Sequence, residues 1–168
     1  MADVVIVNDK DEVIGTMPKD EAHKNGTPHR IAVVYLENDK GEILVQVRMS
    51  GSLDHSSAGH VDPEESYLEA AKRELKEELG VVGVELEQVG SGRSNEVYSS
   101  DEGHRVHVFQ VFKCTANPVK LQEDEVQNVY WADPKKVLKE MTEDKSLKYC
   151  GGFRESLKIY LGAQDRRF

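Results

Sequence analysis

Cysteine is scarce in this sequence, and long apolar runs are missing. The two cysteines, Cys114 and Cys150, are too few for a disulfide framework and too far apart for a CxxC metal site. They read as buried free thiols of a reducing compartment, the cytoplasm. No stretch approaches the roughly 18 apolar residues that cross a bilayer, so no membrane span is expected. Met1-Ala2-Asp3-Val4-Val5 carries no basic region ahead of its apolar run and does not read as a secretory signal. Basic residues are outnumbered 22 to 31 by acidic ones, for a formal net charge of −9. Without a dense Lys/Arg stripe, stable binding to nucleic-acid backbones is not expected. Repeats, low-complexity segments and dividing linkers are also missing, so residues 1–168 read as one domain with a sizeable core.

What is there is a chain of short alternating elements. Residues 3–17 read as a hairpin turning at Asn8-Asp9-Lys10-Asp11. Pro18 to Asn25, closed by Gly26, reads as a short helix. Ile31–Leu36 and Ile43–Val47 read as paired strands around Asn38-Asp39-Lys40-Gly41. Met49–Ser57 reads as a polar loop. Ser66–Leu79 is the clearest helix, with Ser66 and Glu69 as a capping box and Gly80 as the stop. Strands are predicted at Val84–Val89, Val106–Phe112 and Val126–Ala132, with a polar loop around Ser99–Gly103. Helices are predicted at Pro134–Met141 and Phe153–Leu161. The pattern predicts an α/β or α+β sandwich, a mixed sheet with helices on its faces.

On the main helix, Leu68, Ala71, Leu75 and Leu79 are predicted as the core stripe, and Glu74, Glu77 and Glu78 as a separate acidic face. Three carboxylates this close repel one another, and Glu77 and Glu78 sit in the last turn, where the helix dipole disfavours them. A hard cation such as Mg²⁺ would remove the conflict. The plainer alternative is a solvated face with Lys72, Arg73 and Lys76 as partners.

The 23 residues from Gly59 to Val81 resemble the Nudix hydrolase signature. All nine specified positions match: Gly59, Glu65, Arg73, Glu74, Leu75, Glu77, Glu78, Gly80 and Val81. The resemblance implies a Nudix-type α/β/α sandwich that cleaves a phosphoanhydride bond in a small diphosphate substrate, such as a nucleoside diphosphate derivative. It implies Mg²⁺ or Mn²⁺ bound by Glu74, Glu77, Glu78 and the Ala58 carbonyl, with attack by metal-activated water. Glu74 and Glu78 are the leading catalytic candidates, and Glu74 is the favoured base. Arg73 is expected to orient a carboxylate, and Glu65 to fix the junction of loop and helix. Glu125, in Glu123-Asp124-Glu125, is the candidate for a further acid from outside the motif, and Arg48 for a cation holding phosphate.

The N-terminal strand, Gly15-Thr16, the segment from His23 to His29 and Gly59-His60-Val61 resemble a narrower branch that includes isopentenyl diphosphate isomerase. That enzyme uses a histidine-rich metal site, a cysteine just before Gly-His and a glutamate on a later strand. Here Ala58 stands at the cysteine position, and Arg105-Val106-His107-Val108-Phe109 offers no glutamate. Isomerisation is therefore not expected. His23, His29 and His60 are candidates for a second metal site, against the plainer reading of unpaired histidines. Leu53 and Glu64 also depart from the branch, on the substrate side. A third reading is a Nudix fold kept as a non-catalytic binding module; such modules usually lose a helix glutamate, and none is lost here.

Overall fold

The computed structural model describes residues 3–97 and 103–165. Strands β1 (Asp3–Val7) and β2 (Val13–Pro18) form the expected hairpin. Its turn is held by the Asn8 side chain, which accepts from the Lys10 and Glu12 amides. Helix α1 (Lys19–Asn25) ends at Gly26, whose φ of 67° is a left-handed cap. The next strand, β3 (His29–Glu37), organises the sheet. It pairs parallel with β8 (His104–Thr115) and antiparallel with β6 (Ser57–His60). Beyond these lie β4 (Ile43–Arg48), with β5 (Leu53–Asp54) and β9 (Val126–Ala132) beside it, and β7 (Glu87–Val97) along β8. Among the described residues these strands form one mixed nine-stranded sheet.

Alternation along β3 builds two cores. Ala32, Val34 and Leu36 face helix α2 (Tyr67–Leu79), while Ile31, Val33 and Tyr35 face α3 (Pro134–Glu143) and α4 (Phe153–Asp165). Burial of both sheet faces under helices is the α/β/α sandwich expected from the sequence. No helix among the described residues is long and apolar enough to cross a membrane.

Four local expectations need correcting. The segment Met49–Ser57 is not simply a polar loop: it contains β5, and Asp54, His55, Ser56 and Ser57 are buried. Burial is tolerated because partners are supplied; Ser56 Oγ donates to the Leu44 carbonyl and accepts from the Leu36 amide. The strand expected at Val84–Val89 starts at Glu87, because Val84 and Leu86 pack on the core without joining the ladder. It then continues through Ser91–Val97, beyond the predicted end at Val89, because pairing with β8 overrides the poor strand propensity of Gly90-Ser91-Gly92. The rest of the polar stretch, 98–102, lies outside the described residues.

The fourth correction concerns the phase of α2. Its capping box and Gly80 stop form as expected. However, Leu68 is 39% exposed, and the buried set is Tyr67, Ala70, Ala71, Leu75, Glu78 and Leu79. At about 100° per residue, Glu74 and Glu78 fall inside the arc bounded by Ala70 and Leu75. The glutamates thus do not form a face of their own. Two of them sit in the middle of the buried one.

Candidate active site

Helix α2 and the β5–β6 segment meet over a cavity of about 490 Å³. Arg48, Asp54, Ala58, Gly59, Glu74 and Glu78 contribute to its walls, and Arg73, Glu77 and Glu125 also reach it. The seven site residues read from the sequence therefore surround one space.

Glu78 is 1% exposed and fully engaged. Its Oε1 accepts from Ser57 Oγ at 2.8 Å and from the Ala58 amide at 3.0 Å, and its Oε2 accepts from Arg48 at 3.0 Å. The N–H and C=O of one strand residue face the same edge. The Ala58 amide turns toward Glu78 and away from β3, so the Ala58 carbonyl is directed to that same edge. Glu74 accepts from Arg73 at 2.7 Å. A Cβ on Gly59 would overlap the Glu74 carboxylate, so the glycine is what lets this side chain lie against the strand. Glu77 is about half exposed and lies 3.4 Å from Arg73.

Arg73 fastens the parts together. Its Nε and one terminal nitrogen grip both Glu65 oxygens at 2.8 and 3.0 Å, and it also donates to the His60 carbonyl at 2.9 Å. Glu65 in turn accepts from the Asp62 amide. One guanidinium thus ties the loop before α2, the end of β6 and the Glu74 carboxylate into a single unit. Arg48 sits among Glu78, Asp54 at 3.7 Å and Glu125 at 3.5 Å. Glu125 belongs to this group, whereas Glu123 lines a different depression beside Lys76.

The electrostatics follow from burial. Loss of water, then the nearby Asp54 and Glu74, raises the Glu78 carboxyl to about 8. Burial raises Glu74 to about 7 despite its bond to Arg73. Glu65 goes the other way, held below the usual carboxylate range by its hydrogen bonds from Arg73. Burial pulls Arg48 down, but Asp54 and Glu78 outweigh it and the net shift is upward, so it stays charged. Two carboxylates strained toward protonation, with a strand-edge carbonyl beside them, make an oxygen donor set that suits a hard divalent cation.

His23, His60 and His107 also line this cavity, and His29 joins them in one cluster. His23 Nε2 lies 3.2 Å from His29 Nε2 and 3.3 Å from His60 Nε2. Burial, reinforced by positive neighbours such as Arg105, holds all four below the usual imidazole value, with His23 at about 4. Sequence reasoning missed His107 here, as it missed Asp54 and Ser57 in the carboxylate site. A polar residue flanked by Val106 and Val108 in an apolar strand was the available signal for the first. The run Asp54-His55-Ser56-Ser57 directly ahead of Ala58-Gly59 was the signal for the others.

Comparison with known proteins agrees with the geometry. A family model described as the NUDIX domain matches residues 27–149. The uncharacterized Nudix hydrolase YfcD of Escherichia coli strain K12 is 35% identical over 141 residues, covering 80% of this chain and 75% of that protein. Isopentenyl-diphosphate Delta-isomerase of Pectobacterium atrosepticum is 38% identical over 87 residues, covering 48% of this chain and 49% of that protein. Among solved structures, DR0079 from Deinococcus radiodurans shares the fold, with a TM-score of 0.74 at 22% identity over 93% of this chain and 97% of its own. A family match over that much of the chain, on this fold, makes the protein a member of the Nudix hydrolase family.

Proposed function

We propose that this protein is a divalent-metal-dependent hydrolase that cleaves the phosphoanhydride bond of a small nucleoside diphosphate derivative. One observation carries the reading: Glu74 and Glu78 occupy the centre of the buried face of α2, where apolar side chains would stabilise the fold better, and both face the cavity. Glu74, Glu77, Glu78 and the Ala58 carbonyl would hold Mg²⁺ or Mn²⁺. When bound, the cation neutralises phosphate charge and acidifies a water for attack on phosphorus.

The protein's own groups divide the remaining work. Glu74, which lines the cavity and is held by its bond from Arg73, is the candidate to take the proton of the attacking water. Arg73 fixes the direction of Glu74 and, through Glu65 and the His60 carbonyl, the strand edge that carries Ala58. Arg48 can exchange its carboxylate partners for phosphate oxygens, because a planar guanidinium serves either anion. Glu125, close to Arg48, supplies a further acid at the rim.

Isomerisation is not supported, because the Ala58 methyl cannot move a proton. A purely binding role is not supported either, since every helix glutamate of the signature is kept. Cys114 and Cys150 are both free thiols, which fits the cytoplasm. The test is a panel of nucleoside di- and triphosphates, nucleotide sugars, dinucleotides and isoprenoid diphosphates with Mg²⁺ and Mn²⁺. Metal-dependent release of a phosphate product supports the reading; silence across the panel, or allylic isomerisation, overturns it.

A further inference from the structure

On the basis of the diphosphate-cleaving role given to the carboxylate site, we propose that a second, adjoining cleft holds the far end of the substrate, and that this far end carries a phosphate monoester of its own. The cleft encloses about 960 Å³ between the outer half of β7, the segment before α4 and the head of that helix. Arg105, Cys150 and Gly151 line both this cleft and the cavity of Glu74 and Glu78, so the two spaces adjoin. A substrate longer than its diphosphate would run from one into the other.

Charge identifies the ligand. The chain has a net charge of −9, yet Arg93, Arg105, Lys148 and Arg154 line this cleft against the carboxylates of Glu96 and Glu155 among the described residues. Both carboxylates already have partners. Glu96 accepts from the Gly152 amide at 3.0 Å, and Glu155 lies 3.3 Å from Lys158, which is not part of the cleft wall. Arg154 is 3.2 Å from Glu155, and Arg93 is 3.5 Å from Asp9, whose side chain is 98% exposed. Ion pairs this open to solvent are weak, so an incoming anion can replace them. Lys148 is exposed and has no ion pair among the described residues. An arginine fork and a lysine point charge are both common ways of holding phosphate.

A buried hydroxyl at the same place lacks a partner. Ser94 is 3% exposed and lines the cleft, and its Oγ has no hydrogen bond among the described residues. A buried donor left so costs stability, and a phosphate oxygen is an acceptor that would satisfy it. This hydroxyl sits beside the head of α4, since a Cβ on Gly152 would lie 3.6 Å from it. The positive end of the helix dipole adds a favourable field for an anion there. Several cations and a hydroxyl around one space suit a phosphate monoester, with about two charges and three terminal oxygens, better than a carboxylate.

The test uses the full chain, stripped of metal by chelation so that binding is read without turnover, and two matched pairs of probes: NADPH against NADH, and coenzyme A against dephospho-coenzyme A. The members of each pair differ only by a phosphate monoester remote from the diphosphate. Calorimetry is expected to show the phosphorylated member of at least one pair bound about tenfold or more tightly than its partner. Lys148→Glu and Arg154→Glu, both at solvent-accessible positions that leave the core intact, should each cut that preference to about threefold or less. Lys40→Glu makes the same charge change at the β3–β4 turn, outside both cavities, and should leave it unaltered. No preference in the parent for either phosphorylated probe would overturn the proposal. So would a preference that survives in both cleft variants, or one that falls equally in Lys40→Glu. Turnover with Mg²⁺ is measured separately. Hydrolysis without binding preference would refute the cleft and keep the hydrolase reading, whereas preference without turnover of any diphosphate would keep the cleft and count against that reading.

Discussion

Replacing Gly59 by alanine adds one methyl group at the point where β6 touches Glu74. The main chain tolerates alanine there, because Gly59 is outside the left-handed region and the effect is purely steric. The new Cβ would overlap the Glu74 carboxylate, so that side chain must swing away and its 2.7 Å bond to Arg73 is lost or stretched. Overpacking of this kind costs about 1–3 kcal/mol of stability. Displacing a reacting group by about 1 Å costs on the order of 10²-fold in rate, or about 2.7 kcal/mol of transition-state stabilisation. The expected result is kcat down about a hundredfold on a diphosphate substrate, with a raised Mg²⁺ requirement and a folded protein in urea denaturation. The double variant Gly59→Ala/Glu74→Gln should be little worse than Glu74→Gln alone, because both act on one group. Parent-like rates in Gly59→Ala, or fully additive losses in the double variant, would refute the claim that the glycine works by making room for Glu74.

Stability against pH provides another check. The folded carboxyls of Glu74 and Glu78 lie at about 7 and about 8, above their ordinary values, so the folded state binds more protons than the unfolded one and is destabilised as pH rises. Between about pH 7.5 and 8.5, where the lowered histidines are neutral in the folded and the unfolded state alike, the melting temperature of chelated protein should fall, and Glu78→Gln should flatten that slope. A parent slope that is flat or rising would contradict the burial argument. Arg73→Lys keeps the charge but loses the two-pronged grip on Glu65; denaturant unfolding should show a loss of about 1–2 kcal/mol, and kcat should fall about tenfold. The phase of α2 is tested by Leu75→Ala, expected to cost about 2–5 kcal/mol, against Leu68→Ala, expected to cost under about 0.5 kcal/mol. Equal losses would mean that the helix is rotated from its described position.

Local chemistry made much of this molecule legible. The capping box at Ser66 and Glu69 and the stop at Gly80 bounded α2 correctly, because both signals act within one turn of chain. Of the signature residues, Gly59, Arg73, Glu74, Glu77 and Glu78 line one cavity. What failed depended on tertiary contacts. Three of the four residues expected on the core stripe of α2, Ala71, Leu75 and Leu79, are buried. The expected stripe extends too far toward Leu68, because the sequence counts a buried glutamate as polar, whereas the fold gives Glu78 partners in Ser57, Ala58 and Arg48. Asp54 through Ser57 read as loop for the same reason. His107 was unremarkable until β8 was paired beside β3, since register alone brings it opposite His29.

The most direct measurement of the central claim is the Mg²⁺ dependence of hydrolysis in Glu78→Gln and Glu74→Gln, taken beside a melting curve for each. Glutamine keeps the size and the helix propensity while removing the charge that a cation needs. The account predicts folded proteins whose kcat is lower by two orders of magnitude or more, at least ~2.7 kcal/mol of lost transition-state stabilisation. Parent-like rates and parent-like Mg²⁺ dependence in both variants, on a substrate the parent cleaves, would contradict it.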